Sequence, residues 1–274
     1  MHHRPRLRTT LLLASACLQA GCGQPKPDID VASAPPTPTS FIQADTSDTT
    51  SASHPTLAGA YATEGGWGRL SIEAPAVEGV RFTLETENAG NGCNFSGQVR
   101  GRRAVVYEGA MASQCTLDLT SSRRGIAVST STADACNAYC GHNGSYRGDY
   151  LRLPAACTPD AIAHARERFK QLYDSKDYAQ ANQALAPVYR GCLPTLPMVD
   201  EGGVRNDYAL VRHKLHDNAG CLEALDKYRA DVARNDEGIV DGMAPTVAEE
   251  YLAVVGAART NLALCGDRRA SANR

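Results

Sequence analysis

The chain has 274 residues, 43% of them hydrophobic, 21% charged and 6% aromatic, with a formal net charge of −2. That length supplies core for one large domain or two modest ones. The near-neutral balance excludes the strongly basic surface by which nucleic-acid-binding domains are recognised.

At the N-terminus Arg4, Arg6 and Arg8 precede a short apolar run from Leu11 to Ala20, followed by Leu18-Gln-Ala-Gly-Cys22. A run this short does not span a bilayer as an ordinary helix, so residues 1–21 read as a cleaved signal peptide. The ending resembles a bacterial lipobox, with Gln19 where the pattern prefers a small or apolar residue, and it implies lipidation at Cys22. Cleavage takes away three arginines and no acids, leaving 25 basic and 30 acidic side chains and a net charge of −5. Gly23 rather than an aspartate follows the cysteine, which in lipoproteins implies release to the outer membrane. The expected place is therefore the periplasm, on a lipid anchor, in an oxidising compartment where cysteines pair. Residues 22–55 are rich in proline, threonine and serine with sparse apolar positions, the composition of a disordered linker. A coil of that length reaches roughly 30 Å.

From 56 to 157 short alternating segments dominate. Leu70 and Ile72, Phe82 and Leu84, Cys93 and Phe95, Ala104 to Tyr107, Cys115-x-Leu117-x-Leu119, Ile126-x-Val128, and Tyr146 to Tyr150 read as strands. Turns are expected at Gly65-Gly66, Asn88 to Gly92, Arg100 to Arg103, and Ser121 to Gly125. Seven or eight strands at this spacing predict an antiparallel meander closing into a small barrel or sandwich. Arg100, Arg102 and Arg103 sit in one turn, and Arg123 and Arg124 in another. Alternate hairpin tips of a meander can share one end, which would make these a basic patch suited to an acidic partner cleft. The competing reading is solvated turns that keep sheet edges soluble.

From 158 to 274 the pattern is helical, so the fold class is α+β. Thr158-Pro159 reads as an N-cap with proline at the first helical position. Asp177 opens a second helix that Pro187 is expected to end or kink. Lys176-Asp-Tyr-Ala-Gln-Ala-Asn-Gln-Ala-Leu185 recurs forty residues on as His216-Asp-Asn-Ala-Gly-Cys-Leu-Glu-Ala-Leu225. The pair resembles a tetratricopeptide-type helical hairpin repeat, a family that builds packing surfaces for protein partners. Thr246-Val-Ala-Glu249 reads as a capping box opening a last helix to Leu264.

Eight cysteines remain when Cys17 and Cys22 are set aside, an even number that implies bridges. Cys157 precedes one helix of a hairpin and Cys192 follows the other, so antiparallel packing brings them together. The same logic pairs Cys221 with Cys265. Cys93, Cys115, Cys136 and Cys140 leave several pairings open, of which two bridges tying the 136–140 stretch to Cys93 and Cys115 are favoured. In Cys136-x3-Cys140-x-His142 a zinc site is the lesser reading, because no second ligand pair accompanies it. His213 and His216 sit three apart within the repeat, which explains them without a metal. No nucleophile elbow, HExxH helix, P-loop or dinucleotide fingerprint is present. The sequence therefore names no catalytic residue, metal or cofactor, and the chain reads as a non-enzyme.

The block Cys136-x2-Tyr139-Cys140-Gly141, with Ser145-Tyr146-x-Gly148-x-Tyr150, resembles the cysteine-rich ending of small proteobacterial periplasmic lipoproteins, among them lysozyme inhibitors and immunity proteins of type IV secretion systems. The resemblance implies a partner that is a lysozyme-like hydrolase or a secreted effector. Inhibitors of that kind insert a loop carrying Ser-Gly-x-x-Tyr into the enzyme cleft. Ser96-Gly97-Gln98-Val99-Arg100 keeps the Ser-Gly and lacks the tyrosine, which points to Ser96, Arg100, Arg102 and Arg103 as the contact residues. The alternatives are an envelope scaffold that binds through its helical repeats, and an enzyme acting on cell-wall material.

Overall fold

The structure is a computed structural model, and it describes residues 57–88 and 91–266. The expected signal peptide, Cys22, the linker and His54 lie outside the described residues. Eight antiparallel strands form a closed up-and-down barrel: β1 Gly59–Thr63, β2 Gly68–Ile72, β3 Val80–Asn88, β4 Asn91–Arg100, β5 Arg103–Glu108, β6 Met111–Ser121, β7 Gly125–Ser129 and β8 Gly148–Arg152. Period-two alternation makes these strands. In β6, Cys115, Leu117 and Leu119 point inward and are buried, while Asp118 and Thr120 face outward. Phe82, Leu84, Leu70, Leu117, Ile126, Tyr61 and Tyr150 fill the interior, as expected of a barrel with just enough strands to close around its own side chains. The β5–β6 register shifts after Val105, and across the β4–β5 pairing the backbones come so close that a Cβ on Gly97 would meet the Val105 carbonyl oxygen at 2.0 Å. Glycine is therefore required there.

The sequence pattern missed β1. Gly59-Ala-Tyr-Ala-Thr63 offers one large apolar residue, too little for a period-two signal. Yet β1 pairs with both β2 and β8 and closes the barrel.

The 130–147 segment joins β7 to β8 through a short helix, α1 Ala133–Asn137. Cys140 is bridged to Cys93 of β4, and Cys136 to Cys115 of β6. Gly141 N–H donates to Gly92 O at 2.7 Å, and Asn94 N–H to Tyr139 O at 3.0 Å. Both bridges anchor this segment to the barrel itself, at the end where β3 turns into β4. The cysteine-rich stretch is thus a staple within the barrel and not a clasp between the two halves.

Beyond β8 the chain is helical: α2 Pro159–Asp174, α3 Tyr178–Gly191, α4 Met198–Lys214, α5 Asn218–Ala224, α6 Arg229–Val232, α7 Asp236–Val240 and α8 Pro245–Leu264. The Thr158 side chain accepts from Ala161 N–H, and Pro159 sits in the first turn, as the sequence predicts. Three expectations change. Pro187 does not end α3, which runs on to Gly191; burial of Val188 and the Cys157–Cys192 bridge hold its last turn in place. The second copy of the motif is broken: α5 stops at Ala224, and a 3-10 turn at Asp226–Tyr228 precedes α6. Cys221 still reaches Cys265 at the end of α8, across those intervening pieces. Finally, α8 begins one residue before Thr246, at Pro245, with Ala244 as an N-cap whose side chain makes no bond, so no capping box forms.

The α2–α3 and α4–α5 turns share one geometry. Lys176 (φ 67°) and His216 (φ 61°) are left-handed. Asp177 N–H donates to Leu172 O and Lys176 N–H to Tyr173 O, as Asp217 does to Arg212 O and His216 to His213 O. Each is a Schellman closure, with the following aspartate capping the next helix. Buried amides join α4 to α8, because Asn261 Nδ2 donates to Asn206 Oδ1 at 3.0 Å and Asn206 Nδ2 to Val254 O at 3.1 Å. Leu153, just past β8, packs on the helical core. Gly66 of the β1–β2 connection lies so close to the backbone of Leu196 and Pro197 that a Cβ would meet Pro197 N at 2.4 Å.

Two outcomes follow for stability. Lys176→Gly and His216→Gly each relieve a left-handed side-chain-bearing residue, so each is expected to stabilise by about 0.5–1 kcal/mol after the added unfolded-state entropy. A lowered denaturation midpoint for both would contradict that geometry. Replacing Cys93 and Cys140 together by serine opens a bridge spanning 47 residues and is expected to cost roughly 3–4 kcal/mol in chemical denaturation.

Candidate binding surface

In an up-and-down barrel, alternate connections share an end. The β2–β3, β4–β5 and β6–β7 turns therefore lie together, beside the end of β8. This arrangement gathers Arg100, Arg102, Arg103, Arg123, Arg124 and Arg152 at one mouth of the barrel. Glu64, Glu87, Glu108 and Asp134 fall toward the opposite mouth. Between residues 57 and 157 every cation is an arginine, the side chain whose planar fork suits carboxylates and phosphates.

The β4–β5 tip is a two-residue turn with Gly101 at φ 65°, where a left-handed residue is needed. Arg102 Nη2 donates to Thr120 Oγ1 at 3.2 Å and Arg100 Nη2 to the Tyr107 hydroxyl at 3.5 Å. Arg103 Nε lies 3.6 Å from Asp118 Oδ1, an exposed pair of little energetic weight. Arg100, Arg102, Arg103, Val105 and Asp118 line a shallow groove of about 520 Å³.

At the β6–β7 tip, Ser122 Oγ accepts from Arg124 N–H at 3.3 Å and Gly125 N–H at 3.1 Å. Gly125 has no room for a Cβ, which would meet Tyr150 O at 1.9 Å, so β8 presses close behind the turn. Arg152 N–H donates to Arg124 O at 2.9 Å. The Arg152 guanidinium donates to Ala58 O at 2.9 Å and to the Tyr61 hydroxyl, and it also stands over the Tyr61 ring. Tyr61 in turn donates to Leu57 O at 2.7 Å. Burial pushes the Tyr61 hydroxyl pKa up, with the Arg152 charge partly offsetting it. The β2–β3 turn completes this mouth. Gly79 N–H donates to Ala76 O, Gln98 Nε2 to Glu78 O, and Arg81 pairs with Glu73 and Glu78. The turn so held presents Val77 fully to solvent.

The structure brings both arginine turns to one end, as the meander implied. Ser96 is elsewhere: it lies within β4, opposite Thr83, on the outer face, and not in a loop. The Ser-Gly pair is accounted for by the close approach at Gly97. The cysteine staples sit toward the other mouth, so they do not hold the arginine turns. Sequence reasoning missed Arg152, which β7–β8 pairing sets beside the Arg124 turn and whose guanidinium is held by Ala58 and Tyr61 of the β1 side. His142 is exposed, and its two neighbouring cysteines are consumed by separate bridges. Among the described residues no group of three or more His, Cys, Asp or Glu is placed to hold a metal ion.

The helical half carries two further open grooves. One, of about 610 Å³, runs between α2 and α4, with Phe169, Tyr173 and Leu210 along it and Arg166 within 3.6 Å of Asp207. Burial pushes the Asp207 carboxyl pKa up against the pull of Arg166. The other, of about 690 Å³, is lined by Tyr189, Arg205, Glu223 and Lys227. Of its three cations, Arg205 and Lys227 are committed to the buried Glu201, and Arg229 pairs with Asp226.

No protein-family model, curated protein or solved structure matches the chain. The four disulfides nonetheless suit an oxidising extracellular or periplasmic compartment. No helix among the described residues is long and apolar enough to cross a membrane.

Because the arginine tips are exposed and Tyr61 is not, the two are expected to behave differently. Arg102→Gln, Arg123→Gln and Arg124→Gln should each stay within about 0.5 kcal/mol of the parent in urea denaturation. Tyr61→Phe removes a buried donor and an acceptor for Arg152 and should cost about 1–2 kcal/mol.

Proposed function

We propose that the protein is a periplasmic lipoprotein, anchored to the outer membrane through Cys22, whose barrel binds and neutralises a cell-wall hydrolase such as a lysozyme-like toxin or effector. The observation that carries this reading is the gathering of Arg100, Arg102, Arg103, Arg123 and Arg124 on neighbouring hairpin tips at one barrel mouth. Glycosidases that cleave cell-wall polysaccharide work with a pair of carboxylates in a cleft. An arginine-studded mouth complements such a cleft in charge, and it steers encounter as well as seating. Turns already held by side-chain and backbone bonds give up little entropy on binding. The resemblance of the 136–150 stretch to lysozyme inhibitors supports the same partner class. The expected Ser-Gly loop does not contribute, since Ser96 is within a strand, and the reading rests on the arginines.

A second reading has its own observation. The equivalent turns at Lys176 and His216 support a tetratricopeptide-type hairpin pair, and the α2–α4 groove would then be the partner surface of an envelope scaffold.

The test uses the full mature chain. Muramidase-driven lysis of peptidoglycan is measured with increasing protein, alongside capture of hydrolases from periplasm. The parent is expected to inhibit in a salt-sensitive manner. The Arg102→Glu/Arg123→Glu variant should lose tenfold or more in affinity, while Glu85→Gln/Glu87→Gln is unchanged. Capture of no hydrolase, or full inhibition by the charge-reversed variant, would sink the proposal. Loss of capture on altering Phe169 and Leu210 instead would favour the scaffold.

A further inference from the structure

Behind the β6–β7 tip lies a small recess of about 140 Å³, lined by Leu57, Tyr61, Ser121, Ser122, Arg123, Arg124, Gly125, Ile126 and Arg152. Its charged lining residues are three arginines, and no acid lines it. Arg123 and Arg124 have no side-chain hydrogen bond or ion-pair partner among the described residues. The Arg123 and Arg124 guanidinium groups repel one another across this concavity; Asp149, on the adjoining groove they also line, makes no ion pair with either of them. The walls at Leu57, Tyr61 and Ile126 are apolar or buried, so they focus the field of those charges into the recess.

The recess is also built rather than incidental. Ser122 pins the turn through Arg124 N–H and Gly125 N–H, the Arg124 carbonyl is fixed by Arg152 N–H, and Gly125 abuts Tyr150 O. The Ser122 hydroxyl oxygen accepts those bonds, which leaves its own proton to be donated. Arg152 is held in place by Ala58 O and Tyr61. The volume admits a tetrahedral oxyanion together with some of its water.

We propose that this recess is a binding site for a phosphate-type oxyanion, held by the Arg123 and Arg124 guanidinium forks with a hydroxyl donor from Ser122 or Ser121 and the fixed positive charge of Arg152. Guanidinium forks bind phosphate oxygens bidentately, and a doubly charged anion matches the two guanidinium groups of Arg123 and Arg124 better than a single carboxylate. The phosphate can be free or can belong to an anionic envelope lipid headgroup. The site stands independently of the hydrolase reading, because a free oxyanion either binds there or does not, whatever protein docks on the same mouth.

The test titrates the full mature chain with inorganic phosphate at low ionic strength, following amide and arginine side-chain resonances. Its second arm measures co-sedimentation with vesicles of anionic phospholipid against vesicles of neutral phosphatidylcholine. Saturable shifts at residues 121–125 and 152, with at least tenfold weaker binding in Arg123→Gln/Arg124→Gln and unchanged binding in Arg100→Gln/Arg102→Gln, are the expected result. If anionic vesicles also compete with phosphate, a lipid headgroup is the source; if they do not, the ligand is a soluble phosphate. Absence of saturable phosphate binding overturns the proposal, even if anionic vesicles sediment the protein. So does an equal loss in the Arg100→Gln/Arg102→Gln variant, since the charge would then be acting diffusely. The substituted side chains are exposed, and an unchanged circular dichroism spectrum shows that lost binding is not lost folding.

Discussion

Closure of β8 on β1 is the constraint on which the rest of this molecule depends. Tyr61 pairs with Arg152 and Thr63 with Tyr150, and with those bonds the meander has no edge left to expose. Closure turns the end that alternate turns share into a continuous rim. It fixes the Arg152 guanidinium on Ala58 and Tyr61 beside the Arg123–Arg124 turn, and the chain leads on at Leu153 into the helical half. A strand carrying little apolar signal of its own therefore completes the barrel on which the charged surface forms.

The two mouths of the barrel have been given different work. One is sealed covalently: the 130–147 segment is bridged to β4 and β6, and Cys136 and Tyr146 join the core there. The other is left open to solvent and collects the arginines on short turns. Their rigidity comes from local hydrogen bonds and from close backbone approaches at Gly97 and Gly125, without help from the staples. A chain that holds its charged end with turn chemistry and its opposite end with disulfides keeps the charged end free to meet a partner.

Much of this was legible in the residues, and what was not has identifiable causes. Strand parity placed Leu70, Phe82, Cys115 and Ile126 in the core because each sits in an alternating run. Cys157 and Cys192 were paired because an antiparallel helix hairpin joins its own ends. β1 was invisible because Ala60, Ala62 and Thr63 are small. Pro187 was read as an end or a kink because the rule is local, while tertiary contacts of Val188 and Cys192 carry α3 past it. Thr246 and Glu249 had the spacing of a capping box, but Pro245 is also suited to open a helix and does so here. At the candidate surface the five turn arginines were legible and their common end followed from the meander. Arg152 was not, because the long 130–147 connection hides the β7–β8 register that sets a residue 28 positions beyond Arg124 at the same recess. Ser96 misled because a short motif says nothing of strand or loop.

The direct measurement of where the proposed partner sits is hydrogen–deuterium exchange on the full chain, alone and with a cell-wall hydrolase of the class proposed above. Slowed exchange confined to 73–79, 100–103 and 121–125 is the result expected if the arginine mouth is the binding surface. Slowed exchange along α2 and α4, or at the stapled mouth over 130–147, with the arginine turns unaffected, would contradict it.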